Sequence, residues 1–316
     1  MNLNKIKLLA GDASFRKFYR SPNNSIIVFA NKNKHVNLVV YDAINRCLNK
    51  NKVKAPKLKK EFYNKNYIEI EDLGDNSIYK ILKKSKNKFK IYLNIIKTLK
   101  LIQKIKLKSV STFKKNKYII PYYSKKKLLN ESKLFLKWYL PIVLKKAKIR
   151  NAKKNIENIF NILYKNLQLK EKVFVHRDFH VSNMMFYKKK IYLIDNQDAV
   201  YGNIAYDLAS LIDDVRIKTS RKLKDKIFKM YIKKNVSIDR YKLKNDFDIL
   251  SVLRNLKVIG IFSRLSIRDG KKQYTKLIPY AWKMIEQRIS NNLLFDDLEK
   301  ALNKYFSKKI RVKKWI

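Results

Sequence analysis

The stretch His176-Arg177-Asp178-Phe179-His180-Val181-Ser182-Asn183 sets the reading of everything around it. Just before it, Val173-Phe174-Val175 is apolar and β-branched, a short buried strand ending where charges begin. Just after it, residues 184–187 and 191–194 read as two more strands, joined by Lys188-Lys189-Lys190 at a length that suits a hairpin. Symmetry about Lys189 would set Asn183 opposite Asp195 at the hairpin's open end. Facing residues in an antiparallel pair share a side, with Cβ atoms about 4.5–5.5 Å apart. An amide oxygen and a carboxylate are therefore expected together, beside a loop that carries Asp178. Hard oxygen donors gathered in this way suit Mg²⁺, which is commonly held by one or two protein oxygens plus substrate phosphates.

The charge pattern points the same way. Residues 191–217 contain no lysine and one arginine, Arg216, although 75 of the 316 residues are Lys or Arg. The same window holds Asp195, Asp198, Asp207, Asp213 and Asp214, out of only 25 carboxylates in the chain. A negative island in so basic a protein is expected to meet a divalent cation or to form paired buried charges.

The protein-kinase catalytic loop has an Asp, an Asn five residues later, and a metal-binding Asp at the end of a hairpin. Asp178, Asn183 and Asp195 match that order, spacing and intervening hairpin. The second histidine, His180, shifts the resemblance to the aminoglycoside phosphotransferase and choline-kinase-like family of small-molecule kinases. Ile194-Asp195 and Tyr206-Asp207-Leu208-Ala209 look like that family's second and third motifs. Four further segments, at residues 9–16, 71–74, 197–199 and 264–271, are similar to one branch, the bacterial cell-wall amino-sugar kinases. That branch phosphorylates the anomeric hydroxyl of N-acetylmuramate and N-acetylglucosamine.

The resemblance implies an α+β, protein-kinase-like two-lobe fold. Residues 1–75 would form an N-lobe, a small antiparallel β-sheet with one helix that covers the nucleotide. Residues 76–316 would form a mainly helical C-lobe with the catalytic loop, metal site and acceptor pocket. It implies ATP and Mg²⁺ as cofactors and a small amino-sugar acceptor. Asp178 would be the catalytic base, and Asn183 and Asp195 the metal ligands, with Asp198 near a second metal or behind the first. His176 and Asp207 would be structural, Asp207 by holding the catalytic loop. Gly11, Ser14, Phe15 and Arg16 would cover the phosphates, although an ordinary hairpin turn is the competing account of residues 11–14. Glu71 and Leu73 would lie at the lobe hinge, where the backbone meets the adenine edge; a plain strand exit is the alternative.

Two departures from the family pattern stand out. Kinase-like N-lobes pair a strand lysine with a helix glutamate, but here Lys32 sits at or past the strand end and the helix offers only Asp42. Arg16, Arg20, Lys32 and Lys34 are all candidates for the cation that holds the phosphates. Asn196 follows the metal aspartate where an aromatic residue is usual.

Composition sets outer bounds. At 46% hydrophobic, 316 residues can build two lobes with substantial cores. A single cysteine, Cys47, excludes an internal disulfide and fits a reducing compartment, with packing favoured over reactivity. No secretory leader or 18-residue apolar run is present, so a cytoplasmic protein without a membrane span is expected. The net charge of +50 invites a nucleic-acid reading. The lysines, however, are spread over almost every segment and read bases less well than arginine. Salt-sensitive nonspecific polyanion binding is expected, with no dedicated nucleic-acid site.

The rest of the chain reads as mostly helical. Helices are expected over residues 36–48, 89–107, 125–140 (stopped or kinked by Pro141), 155–167, 203–215 after a turn at Gly202, 222–234, 242–263, 274–291 and 297–305. Residues 308–314 read as a solvated basic tail. Trp138 and Tyr139 could stack on a sugar face, or pack in the core. His180 is a further candidate for the acceptor side. Arg264, Arg268 and Asp269, placed after the 242–263 helix, would bind a carboxylate-bearing sugar or bridge one another. The enzyme is expected to be a monomer. Other readings are a kinase for a different small alcohol, such as an aminoglycoside or choline, and a non-catalytic nucleotide-binding relative.

Overall fold

The computed structural model describes residues 7–9 and 16–313. By compactness the chain divides into two units, Met1–Tyr122 with Val173–Tyr201, and Tyr123–Lys172 with Gly202–Ile316.

The first unit is built on strands β1 (Lys7–Leu9), β2 (Lys17–Ser21), β3 (Ser25–Phe29), β4 (Leu58–Phe62) and β5 (Tyr67–Glu71), in the order β1-β2-β3-β5-β4. Every neighbouring pair in this sheet is antiparallel. Alternation along β5 buries Ile68 and Ile70, which join Ile26, Val28 and Ala30 of the β3 segment under helix α1 (Val36–Lys50). Helix α1 turns Leu38, Tyr41, Ala43, Ile44, Asn45, Cys47 and Leu48 inward, whereas Val36 at its start is exposed. Burial pushes the Cys47 thiol up to about 11, in keeping with a packing role.

Helices α2 (Ile78–Lys84) and α3 (Lys88–Gln103) follow, begun by the Ser77 and Asn87 side chains, which accept from Lys80 N–H and Lys90 N–H. A small hairpin of β6 (Ser109–Ser111) and β7 (Lys117–Ile119) comes next. Strand β8 (Lys172–Val175) leads into the His176–Asn183 loop, and β9 (Met184–Tyr187) and β10 (Lys190–Leu193) form the expected hairpin. Strand β11 (Val200–Asn203) pairs with β8. Gly202 lies inside this strand and is buried, so the turn expected there is absent.

The second unit is helical: α4 (Lys125–Leu134), α5 (Leu140–Val143), α6 (Lys146–Lys165), α7 (Ala205–Ile212), α8 (Arg221–Lys233), α9 (Arg240–Asp269), α10 (Ile278–Ile289), α11 (Asp296–Tyr305) and α12 (Lys308–Val312). Pro141 distorts the chain earlier than expected. Phe135–Tyr139 forms a wide π-helical turn between α4 and α5, which takes up the step imposed by a residue with no N–H and a bulky ring. At the same place Gly260 of α9 passes so close that a Cβ there would overlap the backbone of Leu134 and Phe135.

Helix α9 runs further than the apolar pattern implied. The Asp239 side chain caps its start, accepting from Tyr241 N–H and Lys242 N–H, and Gly270 ends it in the left-handed region at φ 66°. Arg264, Arg268 and Asp269 therefore lie on its last turns and not beyond them. Residues 308–312 are helical, and Arg311 is buried, donating to Glu286 Oε1 at 3.0 Å and to Asn303 Oδ1 at 2.7 Å. The solvated tail expected there is instead docked. Among the described residues, no helix is long and apolar enough to cross a membrane.

Candidate active site

The loop after β8 is organised by its own backbone. Asp178 C=O accepts from His180 N–H at 2.9 Å and from Asn183 Nδ2 at 3.1 Å, and His180 C=O accepts from Asn183 N–H at 2.9 Å. Asn183 C=O in turn accepts from Ile194 N–H at 3.0 Å, which ties the loop to the residue preceding Asp195. His176 is buried and donates Nε2–H to Ile194 C=O at 3.2 Å. With Nδ2 of Asn183 committed to the loop, its Oδ1 is the atom suited to a cation. Asp178 is half-buried.

The hairpin register differs from the symmetric expectation. Lys188 and Lys189, with φ of 46° and 59°, form a two-residue turn between the paired residues Tyr187 and Lys190. Positive φ at both central positions matches the twist of the flanking strands, so the two-residue closure wins over a three-residue one. The ladder ends with Met184 opposite Leu193, and the next step sets Asn183 against Ile194. Asp195 comes one residue later, at φ 64°, where the chain leaves the strand direction. The two oxygen donors are brought to one end of the hairpin, but not as a facing pair.

Asp195 is gripped from the N-terminal side. Its Oδ1 accepts from Arg16 Nη2 and, at 3.3 Å, from Gln197 Nε2. Arg16 Nη1 donates to Gln197 Oε1 at 2.6 Å, and Gln197 Nε2 also reaches Asp198 Oδ2 at 3.0 Å. The guanidinium lies 5.6 Å from the Phe18 ring and 5.3 Å from that of Tyr41, and Arg16 is only 4% exposed. Burial pushes the Tyr41 phenol up to about 12, with Arg16 opposing and Asp195 reinforcing the shift. Arg177, at φ 75°, donates Nη1 to both the carbonyl and Oδ1 of Asp198, each at 3.2 Å.

Beneath this layer Asn196 is shut away from solvent and donates Nδ2 to Asn45 Oδ1 of α1 and to Leu193 C=O, at 2.8 and 2.9 Å. Asp42, the only acid the sequence offered on α1, pairs with Arg46 of the same helix at 2.6 Å. Two backbone bonds fasten the hairpin as well: Leu193 N–H to Lys54 C=O, and Phe186 N–H to Asn76 C=O, both at 2.8 Å.

The remaining candidates are scattered. Gly11, Ser14 and Phe15 lie outside the described residues. Lys32 is exposed on a 3₁₀ turn, and Arg20 is engaged by Asp72 and Asp75. Glu71 ends β5 with its N–H donated to Lys57 C=O at 2.8 Å, and Leu73 is buried beside Gly74, whose φ is 71°. His180 is buried, with Nε2 3.4 Å from Asn183 Nδ2.

In the second unit, Tyr139 is fully buried among Phe135, Trp282 and Phe306 and accepts from Trp282 Nε1 at 3.1 Å. Sugar stacking is thereby ruled out for Tyr139, because its faces are covered; Trp138 is half-buried. Arg268 clamps Asp269 through Nε and Nη2 at 2.7 and 3.0 Å, the internal bridge that competed with sugar binding. Arg264 is half-buried with no partner on Nε, and burial together with Arg268 lowers its pKa. Asp207 is fully buried in the first turn of α7.

Sequence reading missed Gln197, Asn45 and Tyr41 as parts of the site. The anomaly at Asn196 was the one available signal for Asn45.

Among the described residues no three His, Cys, Asp or Glu side chains gather as a metal cluster. Asn183 and Asp195 are nonetheless hard oxygen donors of the kind that share Mg²⁺ with phosphates.

A five-stranded antiparallel sheet, a helical remainder and a loop of this design define a kinase-like α+β phosphotransferase. The chain belongs to the APH family, the phosphotransferase enzyme family, whose model matches residues 5–243. It is 26% identical over 284 residues to the N-acetylmuramate/N-acetylglucosamine kinase of Neisseria meningitidis serogroup B, covering 85% of this chain and 81% of that protein. Its fold is similar to that of the ADP-bound aminoglycoside phosphotransferase APH(2'')-Ib (TM-score 0.60, 19% identity, 90% of this chain and 95% of that one). It is also similar to a choline/ethanolamine kinase family protein from Mesorhizobium loti (TM-score 0.61, 11% identity, 95% and 92%). The protein is a phosphotransferase with an alcohol group as acceptor.

Proposed function

We propose that this enzyme transfers the γ-phosphoryl group of ATP to the anomeric hydroxyl of N-acetylmuramate or N-acetylglucosamine, giving the sugar 1-phosphate. The observation that carries the reading is the chain of bonds from Asp178 through Asn183 to Ile194 and Asp195. Asp178 orients the acceptor hydroxyl and takes its proton late in the transfer, as the new P–O bond forms and the β–γ bond breaks to release ADP. Asn183 Oδ1 and Asp195 would hold Mg²⁺, which supplies charge neutralisation on the phosphates when bound. The bonds within the loop fix the backbone of Asp178 relative to that of Asn183 and Ile194, and positioning of this kind accounts for much of the expected rate.

The acceptor assignment is supported by the name of the Neisseria relative. Arg264 Nε has no partner, and Arg268 is bridged to Asp269. On the same reading, residues 1–75 cover the nucleotide, and the enzyme works as a cytoplasmic monomer in cell-wall sugar recycling.

ADP release measured against a panel of N-acetylmuramate, N-acetylglucosamine, aminoglycosides and choline tests the proposal. Turnover is expected with the acetylated amino sugars. Turnover only with the cationic acceptors reassigns the substrate, and none with any acceptor overturns the kinase reading.

A further inference from the structure

Four cations could replace the N-lobe lysine that this chain lacks, and their environments separate them. Arg20 is held by two carboxylates, with Nε 2.6 Å from Asp72 and Nη1 3.0 Å from Asp75. Lys32 and Lys34 are exposed on the turn after β3. Arg16 reaches the proposed metal ligand directly, through its pair with Asp195.

A buried guanidinium is costly unless its charge is matched and its donors are used. Arg16 meets both conditions by binding the two groups, Asp195 and Gln197, that a metal-nucleotide would most disturb. The Asp195 side chain is still 36% exposed, so a cation can approach it from solvent. A divalent ion arriving there would bring a second positive centre against a guanidinium already balancing the same carboxylate. Phosphates arriving with the ion offer the guanidinium a planar, bidentate alternative of higher charge.

Resting on the kinase reading, the geometry points to Arg16 as an exchangeable counter-ion. Without nucleotide it neutralises Asp195 in place of the metal. When the metal-nucleotide enters, Arg16 moves its donors to the phosphates and takes the part of the missing strand lysine. Asp195 is thereby kept from collecting free divalent ions, and metal binding is coupled to nucleotide binding. Gln197, bonded to both Arg16 and Asp195, is the residue across which the exchange takes place.

The test uses full-length wild type, Arg16→Gln and Arg16→Lys, with folding checked by thermal denaturation. Mn²⁺ binding without nucleotide is followed by electron paramagnetic resonance, and binding of a fluorescent ADP analogue with Mg²⁺ by titration. Arg16→Gln is expected to bind free Mn²⁺ at least threefold more tightly than wild type and the nucleotide at least tenfold more weakly. Arg16→Lys, which keeps the charge but loses the fork, is expected to recover part of the nucleotide affinity. If Arg16→Gln fails to fold, Arg16→Lys carries the test, with tighter Mn²⁺ and weaker nucleotide binding again required together.

Either change without the other overturns the exchange. Unaltered binding of both ligands reduces Arg16 to packing. A wild-type protein that turns over ATP while its variants bind as wild type overturns only the role of Arg16. A wild type that consumes no ATP with any acceptor overturns the kinase reading itself.

Discussion

The side-chain amide of Asn196 donates to the amide oxygen of Asn45 at 2.8 Å, and both residues are buried. Asn196 directly follows the proposed metal ligand, and Asn45 lies in the middle of α1, so the bond holds the metal loop to the helix. Replacing Asn196 with Leu leaves a buried acceptor on Asn45 without its donor, at a cost of about 1–3 kcal/mol. The double replacement Asn45→Leu with Asn196→Leu removes both polar partners and is expected to lose less than the sum of the single changes. Urea unfolding midpoints of the two singles and the double measure the coupling directly.

Asp178→Asn keeps the size of the side chain and removes the proton acceptor. Turnover is expected to fall roughly 10²- to 10⁴-fold, the range of a general base. Binding of the fluorescent ADP analogue should stay at the wild-type level, because no nucleotide contact is assigned to this carboxylate. Near-normal turnover in the folded variant would remove Asp178 from the mechanism.

Gly260→Ala tests the close approach of α9 to the π-helical turn. In an open helix this change stabilises by roughly 0.5–1 kcal/mol. Here the added Cβ would collide with the backbone of Leu134 and Phe135, which cannot rotate aside as a side chain would. Overpacking of this kind typically costs about 1–3 kcal/mol, so the sign reverses. A thermal midpoint several degrees below wild type is expected, and an unchanged or higher midpoint would contradict the close contact.

Asp213 sets an acid-stability window. Burial alone would raise its carboxyl, but the Arg288 and Lys224 charges and their hydrogen bonds outweigh burial and bring it down to about 2. The Lys224 Nζ contact is 2.7 Å and the Arg288 Nε contact 2.9 Å, with Ser251 Oγ donating at 2.5 Å. A group depressed on folding contributes stability that is complete above its unfolded value, 3.8, and disappears as pH falls toward about 2. Asp248, raised by burial, works in the opposite sense, which is why the comparison needs Asp213→Asn. That variant is expected to be about 3–5 kcal/mol less stable at neutral pH, having lost one side of a buried pair. It should also show a shallower loss between pH 4 and pH 2, measured by urea unfolding across that range.

Local patterns carried much of the fold. The strand before the catalytic loop, the β9–β10 hairpin and the amphipathic face of α3 follow from residues close together in sequence. Helix limits were less visible, because α6 begins and α9 ends in charged residues, and Gly270, not the apolar pattern, determines where α9 stops. Pro141 announced a break, but the wide turn ahead of it lies against Gly260, a residue far away in sequence. The site was legible where it consists of one loop and one hairpin. Its support was not: Arg16 meets Asp195, and Asn45 meets Asn196, across large sequence separations, and no local spacing records such pairs. Tyr139 shows the converse, since a ring two residues before a proline reads equally well as a sugar platform until its neighbours are known.

The two lysines at the tip of the β9–β10 hairpin make that ribbon a gauge of length. Counted from Lys188 and Lys189, the paired rungs run out just before Asp195, so the position of the carboxylate is set by how many residues separate it from the turn. One residue inserted or deleted at the tip must be absorbed as a bulge, or it displaces Asp195 by a strand step of about 3.3 Å. Residues that tolerate the left-handed region can be exchanged at this tip, but a change in its length would disarm the enzyme while leaving every working side chain in the sequence.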